Sequence, residues 1–143
     1  MIIGEYRNKI TVGKRTALPK KFREQLGTDL ILTRGYENSL VIVDKDKWEK
    51  IAGEVMNGSF INSNIRDTSR FIIGGASELE LDNQGRFIIP TALFEYAQLN
   101  EDIVFIGLVN WVEVWSAQLW EKRLEYLNAN GDKIADQLSN MNK

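Results

Sequence analysis

Apolar and polar residues alternate on both sides of one short polar run: Leu79 and Leu81 precede Asp82-Asn83-Gln84-Gly85, and Phe87 and Ile89 follow it. Period-two alternation interrupted by a Gly-containing polar run predicts strand, tight turn and strand, a hairpin. Two apolar runs, Leu30-Ile31-Leu32-Thr33 and Leu40-Val41-Ile42-Val43, predict a strand pair, and Ile103-Val104-Phe105-Ile106 with Val112-Glu113-Val114-Trp115 predict its counterpart. Helical spacing follows. Phe22 with Leu26, and Leu93 with Ala97, form short apolar faces just after Pro19 and Pro90, and a proline at the first helical position loses no needed donor. Trp48, Ile51 and Val55 share a face behind Asp44, as do Trp120, Leu124 and Leu127 behind Ser116; Asp and Ser are favoured N-caps. Asn57-Gly58-Ser59 and Asn62-Ser63-Asn64 predict a loop before a strand at 71–73. From 130 onward a polar tail keeps Ile134, Leu138 and Met141 at helical spacing, which predicts a weak helix or a frayed end.

The elements recur in one order, and so do individual residues. Arg15 and Pro19 return as Arg86 and Pro90, 86 − 15 = 71 residues later, while Gly35 and Gly107, like Trp48 and Trp120, lie 107 − 35 = 72 apart. The chain is therefore two copies of one unit, 1–56 and 71–129, with a connecting segment 57–70 and a tail 130–143. A unit of about 60 residues has a marginal core and leaves sheet edges open. The copies are expected to pair with each other. Equivalent surfaces on neighbouring chains then predict a homo-oligomer, because head-to-tail repetition of such contacts closes a ring.

Composition narrows the function. Of 143 residues 43% are hydrophobic, enough for a core, and no apolar run is long enough for a membrane span. The start Met1-Ile2-Ile3-Gly4-Glu5-Tyr6 does not look like a signal peptide, so a cytoplasmic protein is expected. The absence of Cys and His removes thiolate chemistry, the commonest general base and the commonest metal ligand. No cofactor, metal or small-molecule substrate is expected. Net charge is −2, yet between 7 and 23 stand Arg7, Lys9, Lys14, Arg15, Lys20, Lys21 and Arg23 with no acid, a window of +7. In the matching window of the second copy, 78–94, Arg86 stands against Glu78, Glu80 and Asp82. The first copy alone is cationic, which suits a polyanion.

Gly4-Glu5-Tyr6, Arg15-x-x-x-Pro19-x-x-Phe22-Arg23-Glu24-x-Leu26-Gly27, Arg34-Gly35, Gly75-Ala76, Leu81-Asp82-Asn83-Gln84-Gly85-Arg86-x-Ile88-Ile89-Pro90 and Val114-Trp115 together resemble the MraZ family of bacterial transcription regulators, over nearly the whole chain. The resemblance implies a mixed α+β, mainly β fold: a double-split β-barrel of two AbrB-like swapped-hairpin repeats with short flanking helices. It also implies rings, commonly octamers, a nucleoid-associated location, and binding to direct repeats in double-stranded DNA upstream of the division and cell-wall genes. The family's Asp-x-x-Gly-Arg turn is intact at 82–86, but the first copy reads Thr11-Val12-Gly13-Lys14-Arg15, without Asp and with Gly one position early.

A two-stranded ribbon fits a major groove about 12 Å wide, and the arginine fork can bond O6 and N7 of one guanine. Arg15 is the candidate base reader. Lys14, Lys20 and Lys21 are candidate phosphate contacts, and Arg7 and Lys9 would extend the patch along the groove. Two roles stand open for Arg86, an ion pair with Asp82 that holds the turn and a DNA contact. Trp48, Trp115 and Trp120 are expected in the core or a subunit interface, and Arg66 and Arg70 in pairs with nearby acids. An antitoxin of the same swapped-hairpin superfamily, and an acid–base enzyme using Glu78, Glu80 or Asp82, are the competing functions.

Overall fold

The computed structural model describes residues 1–142. Strands and helices run β1 (Ile3–Lys9), β2 (Arg15–Ala17), α1 (Lys20–Leu26), β3 (Leu30–Arg34), β4 (Leu40–Asp44), α2 (Lys45–Val55), α3 (Ser63–Ile72), β5 (Ser77–Leu79), β6 (Arg86–Ile88), α4 (Thr91–Tyr96), β7 (Asp102–Leu108), β8 (Val112–Ser116) and α5 (Ala117–Met141). The fold is mixed α+β and centred on sheet. Strands β1-β7-β8-β4-β3-β5 form one six-stranded sheet, and β2 and β6 form a separate two-stranded ribbon.

Exchange between the copies explains this order. In repeat terms β1, β2, β3 and β4 correspond to β5, β6, β7 and β8. Each copy's first strand leaves its own unit: β1 pairs with β7, and β5 pairs with β3, both antiparallel. The self-equivalent pairs are β4 with β8 and β2 with β6. The hairpin expected around 82–85 is therefore only a turn, since β5 and β6 do not pair with each other. Asp82 N–H still donates to the Arg86 carbonyl at 3.0 Å, but the strands then part to partners in the other copy. The predicted pairs β3–β4 and β7–β8 form as expected.

One large apolar cluster joins the inner face of the sheet (Leu30, Leu32, Leu40, Ile42, Ile103, Phe105, Val112, Val114) to the ribbon and its helices (Leu18, Phe22, Phe87, Ile89, Leu93). Pro19 and Pro90 stand at the N-caps of α1 and α4, one residue before the expected position. Asp44 and Ser116 cap α2 and α5 as their side chains predict, accepting from the backbone N–H of Lys47 and Leu119. The first half of α5 covers the outer sheet face, where Val104, Ile106, Trp115 and Trp120 are buried with Leu119, Leu124 and Leu127 alongside. Trp48 is half-buried on α2, beside Val41, Val43 and Trp111.

One expected segment differs, and a second had two alternatives. Residues 71–73 are not a strand, because α3 runs to Ile72, and the Asn62 side chain that signalled a loop caps this helix by accepting from the N–H groups of Asn64 and Ile65. The same side-chain chemistry serves turns and N-caps, and only the context separates them. The tail from 130, expected as a weak helix or a frayed end, is helical. Helix α5 continues for 25 residues to Met141, which also makes it longer than the short flanking helices expected.

Close approach of β1 to β7 depends on Gly107. A Cβ there would lie 2.7 Å from the Ile3 nitrogen, 2.8 Å from the Ile2 carbonyl carbon and 2.9 Å from the Phe22 ring. Backbone cannot yield as a flexible side chain can, so Gly107→Ala is expected to cost about 1–3 kcal/mol of unfolding free energy. Urea unfolding monitored by tryptophan fluorescence measures it, and an unchanged midpoint would refute the contact.

Candidate nucleic-acid interface

The β2–β6 ribbon carries the two repeated arginines. Register places Arg15 opposite Ile88 and Ala17 opposite Arg86, and further backbone bonds, Leu18 N–H to the Gly85 carbonyl and Ile89 N–H to the Lys14 carbonyl, both 2.9 Å, prolong the pairing at each end. Strand alternation sends Thr16 and Phe87 into the core and leaves Arg15, Arg86 and Ile88 exposed. Arg15 and Arg86 thus lie diagonally across one outward face, although 71 residues (86 − 15) separate them in the chain.

The two turns that present them are built differently. In the second copy the Asp82 carboxylate accepts from the Gln84 N–H at 2.9 Å, the Arg86 N–H at 2.8 Å and the Arg86 Nε at 2.7 Å. The backbone N–H of Arg86, and then its guanidinium, hold the Asp82 carboxyl down at about 2 against an ordinary 3.8. A depressed folded pKa stabilises above the unfolded pKa and is lost as pH falls through the folded one. Asp82→Asn is therefore expected to flatten the fall in unfolding free energy across the interval from 3.8 to about 2. Urea titrations of both proteins through that interval test it, and parallel curves would count against a held carboxylate.

In the first copy Thr11 replaces that aspartate, and its hydroxyl donates to the Arg15 carbonyl at 3.2 Å. Gly13 and Lys14 both take positive φ, 83° and 58°, where the second copy has Gly85 at 76°. Lys14 is thus a non-glycine residue in the left-handed region, which costs about 1–2 kcal/mol. Lys14→Gly is expected to raise stability by roughly 1 kcal/mol, seen as a higher melting temperature; a lower one would contradict the assigned strain. Arg15 has no ion-pair partner among the described residues, whereas Arg86 is tied to Asp82 at 2.7 Å.

The remaining cations of the +7 window are not all free. Arg7 on β1 pairs with Glu121 of α5, Lys9 pairs with Asp102 at 2.7 Å and Glu101 at 3.6 Å, and Lys20 stands 4.0 Å from Glu24. The hydrogen bond and charge of Asp102 raise the Lys9 pKa. Arg23 packs against the Gly85 turn, where its Nε is buried without a partner. Lys14 sits with its Nζ 5.5 Å from the Phe94 ring centroid, and Lys21 is exposed on α1. Conversely, Glu78, Glu80 and Asp82 line a shallow depression together with Arg15, Arg86 and Ile88. Glu78, Glu80 and Asp82 stand near Arg86 in the sequence itself, but the acids on Arg7 and Lys9, and those beside Arg15, arrive from segments distant in the chain. Arg70 pairs with Asp67 as expected, whereas Arg66 donates instead to the carbonyls of Phe60 and Ile61, at 2.7 and 2.6 Å.

A family model described as "MraZ protein, putative antitoxin-like" matches this chain twice, over residues 1–71 and 72–140. Among curated proteins, the chain is 36% identical to a transcriptional regulator MraZ of Caldanaerobacter subterraneus subsp. tengcongensis, over 142 residues that cover 99% of each chain. It is 39% identical to one of Clostridium tetani, over 143 residues and 99% of each, and 40% identical to one of Oenococcus oeni, over 139 residues and 97% of each. Two family matches in tandem coincide with the two interlocked repeats, and the chain belongs to the MraZ family of transcriptional regulators.

Proposed function

We propose that this chain is a sequence-specific regulator that binds double-stranded DNA through the β2–β6 ribbon, as a ring-like homo-oligomer on direct repeats, in the cytoplasm at the nucleoid. The observation that carries it is the outward face of the ribbon, where the β2–β6 pairing sets Arg15 and Arg86 diagonally across from each other. A ribbon of this width fits the major groove, and two arginine forks suit guanine edges. Arg15 reads a base; Arg86 joins it once its link to Asp82 yields. Lys14, Lys20 and Lys21 contact flanking phosphates. Arg7 and Lys9 reach DNA only by exchanging a carboxylate for a phosphate, so their share is smaller.

The sheet and ribbon enclosing one core accord with a double-split barrel. Ring assembly is supported by exposed apolar residues away from the ribbon, Met56, Phe60 and Ile61 among them. A single ribbon touches few phosphates, and several linked ribbons on evenly spaced repeats raise avidity by about 10² to 10⁴. Anisotropy titrations of the full chain against DNA from upstream of its own gene and against a scrambled duplex, at several salt concentrations, test the function. Preference for the native duplex that survives added salt is expected; equal affinity for the two would refute it. Light scattering on the same samples reports the assembly.

A further inference from the structure

We propose that Ile88 is a further specificity-determining residue, whose side chain packs on the C5-methyl group of a thymine beside the base that Arg15 contacts. This rests on the DNA-binding function proposed above. Ile88 is 56% exposed although its neighbours Phe87 and Ile89 are buried, so the core does not account for it. It stands directly opposite Arg15 on the outward face, with Ala17 and Arg86 completing that face. The paired positions of that face are two arginines and two aliphatic residues, with Glu78, Glu80 and Asp82 lining the depression beside Arg15, Arg86 and Ile88. In the major groove the thymine methyl is the apolar feature that distinguishes one base, and aliphatic side chains are its complement.

Geometry sets the neighbour. Side chains directly opposite on an antiparallel pair have Cβ atoms about 4.5–5.5 Å apart, while successive bases of one strand rise by about 3.4 Å. With Arg15 on one base pair, Ile88 falls on the next or the one after. Its branched Cβ restricts χ1, so little rotamer freedom is lost on contact. Val12 is the other aliphatic candidate, 99% exposed in the turn before β2, but it lies outside the paired ribbon and has no strand partner to set its position against Arg15.

The test replaces thymines of the native upstream duplex one at a time by uracil, which keeps the hydrogen-bonding edge and lacks the methyl. Hiding one methyl group corresponds to about a four-fold change in affinity. The wild-type chain should bind about four-fold more weakly at one thymine per repeat, Ile88→Ala should bind thymine and uracil duplexes equally, and Val12→Ala should keep the wild-type difference. Wild-type binding indifferent to every uracil overturns the assignment, as does sensitivity that persists in Ile88→Ala or disappears in Val12→Ala. A changed assembly size for Ile88→Ala would place the residue in a subunit contact and overturn it too. The uracil series on wild type needs no variant and decides even where a variant does not fold. Failure of wild type to prefer the native over the scrambled duplex would instead remove the sequence-specific binding on which this rests.

Discussion

Arg15→Ala is expected to remove sequence preference, lowering affinity for the native upstream duplex by about 10- to 100-fold per site while leaving assembly size and melting temperature unchanged. The side chain is exposed, lies on the outward face of the ribbon and has no ion-pair partner among the described residues. Little folded-state energy is therefore lost with it. Arg86→Ala should cost less, because Arg86 gives up its bond to Asp82 before it can reach a base. Anisotropy against native and scrambled duplexes, with light scattering in parallel, separates the two. Native-duplex affinity that stays at the wild-type level in Arg15→Ala would end the assignment of this residue.

Phe22→Ala is expected to cost about 3–5 kcal/mol of unfolding free energy, a large part of the 5–15 kcal/mol that holds a typical domain. Phe22 is wholly buried where α1 meets the β1–β7 pair, with the Tyr6 ring edge-on at a centroid distance of 4.9 Å. It also lies against Gly107, so truncation opens a void among groups set by backbone rather than by movable side chains. Urea unfolding gives the number. A loss below about 1 kcal/mol would mean that the site collapses freely, contrary to the close contact of α1 with both copies.

Local signals suffice where a few adjacent residues decide the outcome. Asp44 and Ser116 announced their helices because a cap acts within one turn, and the β3–β4 and β7–β8 runs were legible from apolar content alone. Asn62 misled because its side chain serves a loop and a cap equally well, and helix α3 is selected by packing: Thr33 donates to the Ile72 carbonyl from the neighbouring sheet. For the tail, helical spacing and polar composition leave helix and frayed end open, and α5 continues without a break from the turns anchored by Trp120 and Leu124.

The candidate site was half legible. Arg15 and Arg86 stood out by their repetition, and the Asp82–Arg86 pair followed from spacing in the turn. The burden on Arg7 and Lys9 did not, since Glu121 and Asp102 lie 121 − 7 = 114 and 102 − 9 = 93 residues away along the chain. By itself the sequence determined the duplication, most of the elements, their caps and the residues that carry charge, because all of these depend on local spacing and side-chain chemistry. Only the tertiary structure decided which strands become partners, β1 with β7, β5 with β3 and β2 with β6, the last of which sets both arginines and Ile88 on one ribbon. Backbone hydrogen bonds are the same for every residue, so strand partnership is settled by which arrangement buries both copies' apolar faces in a single core.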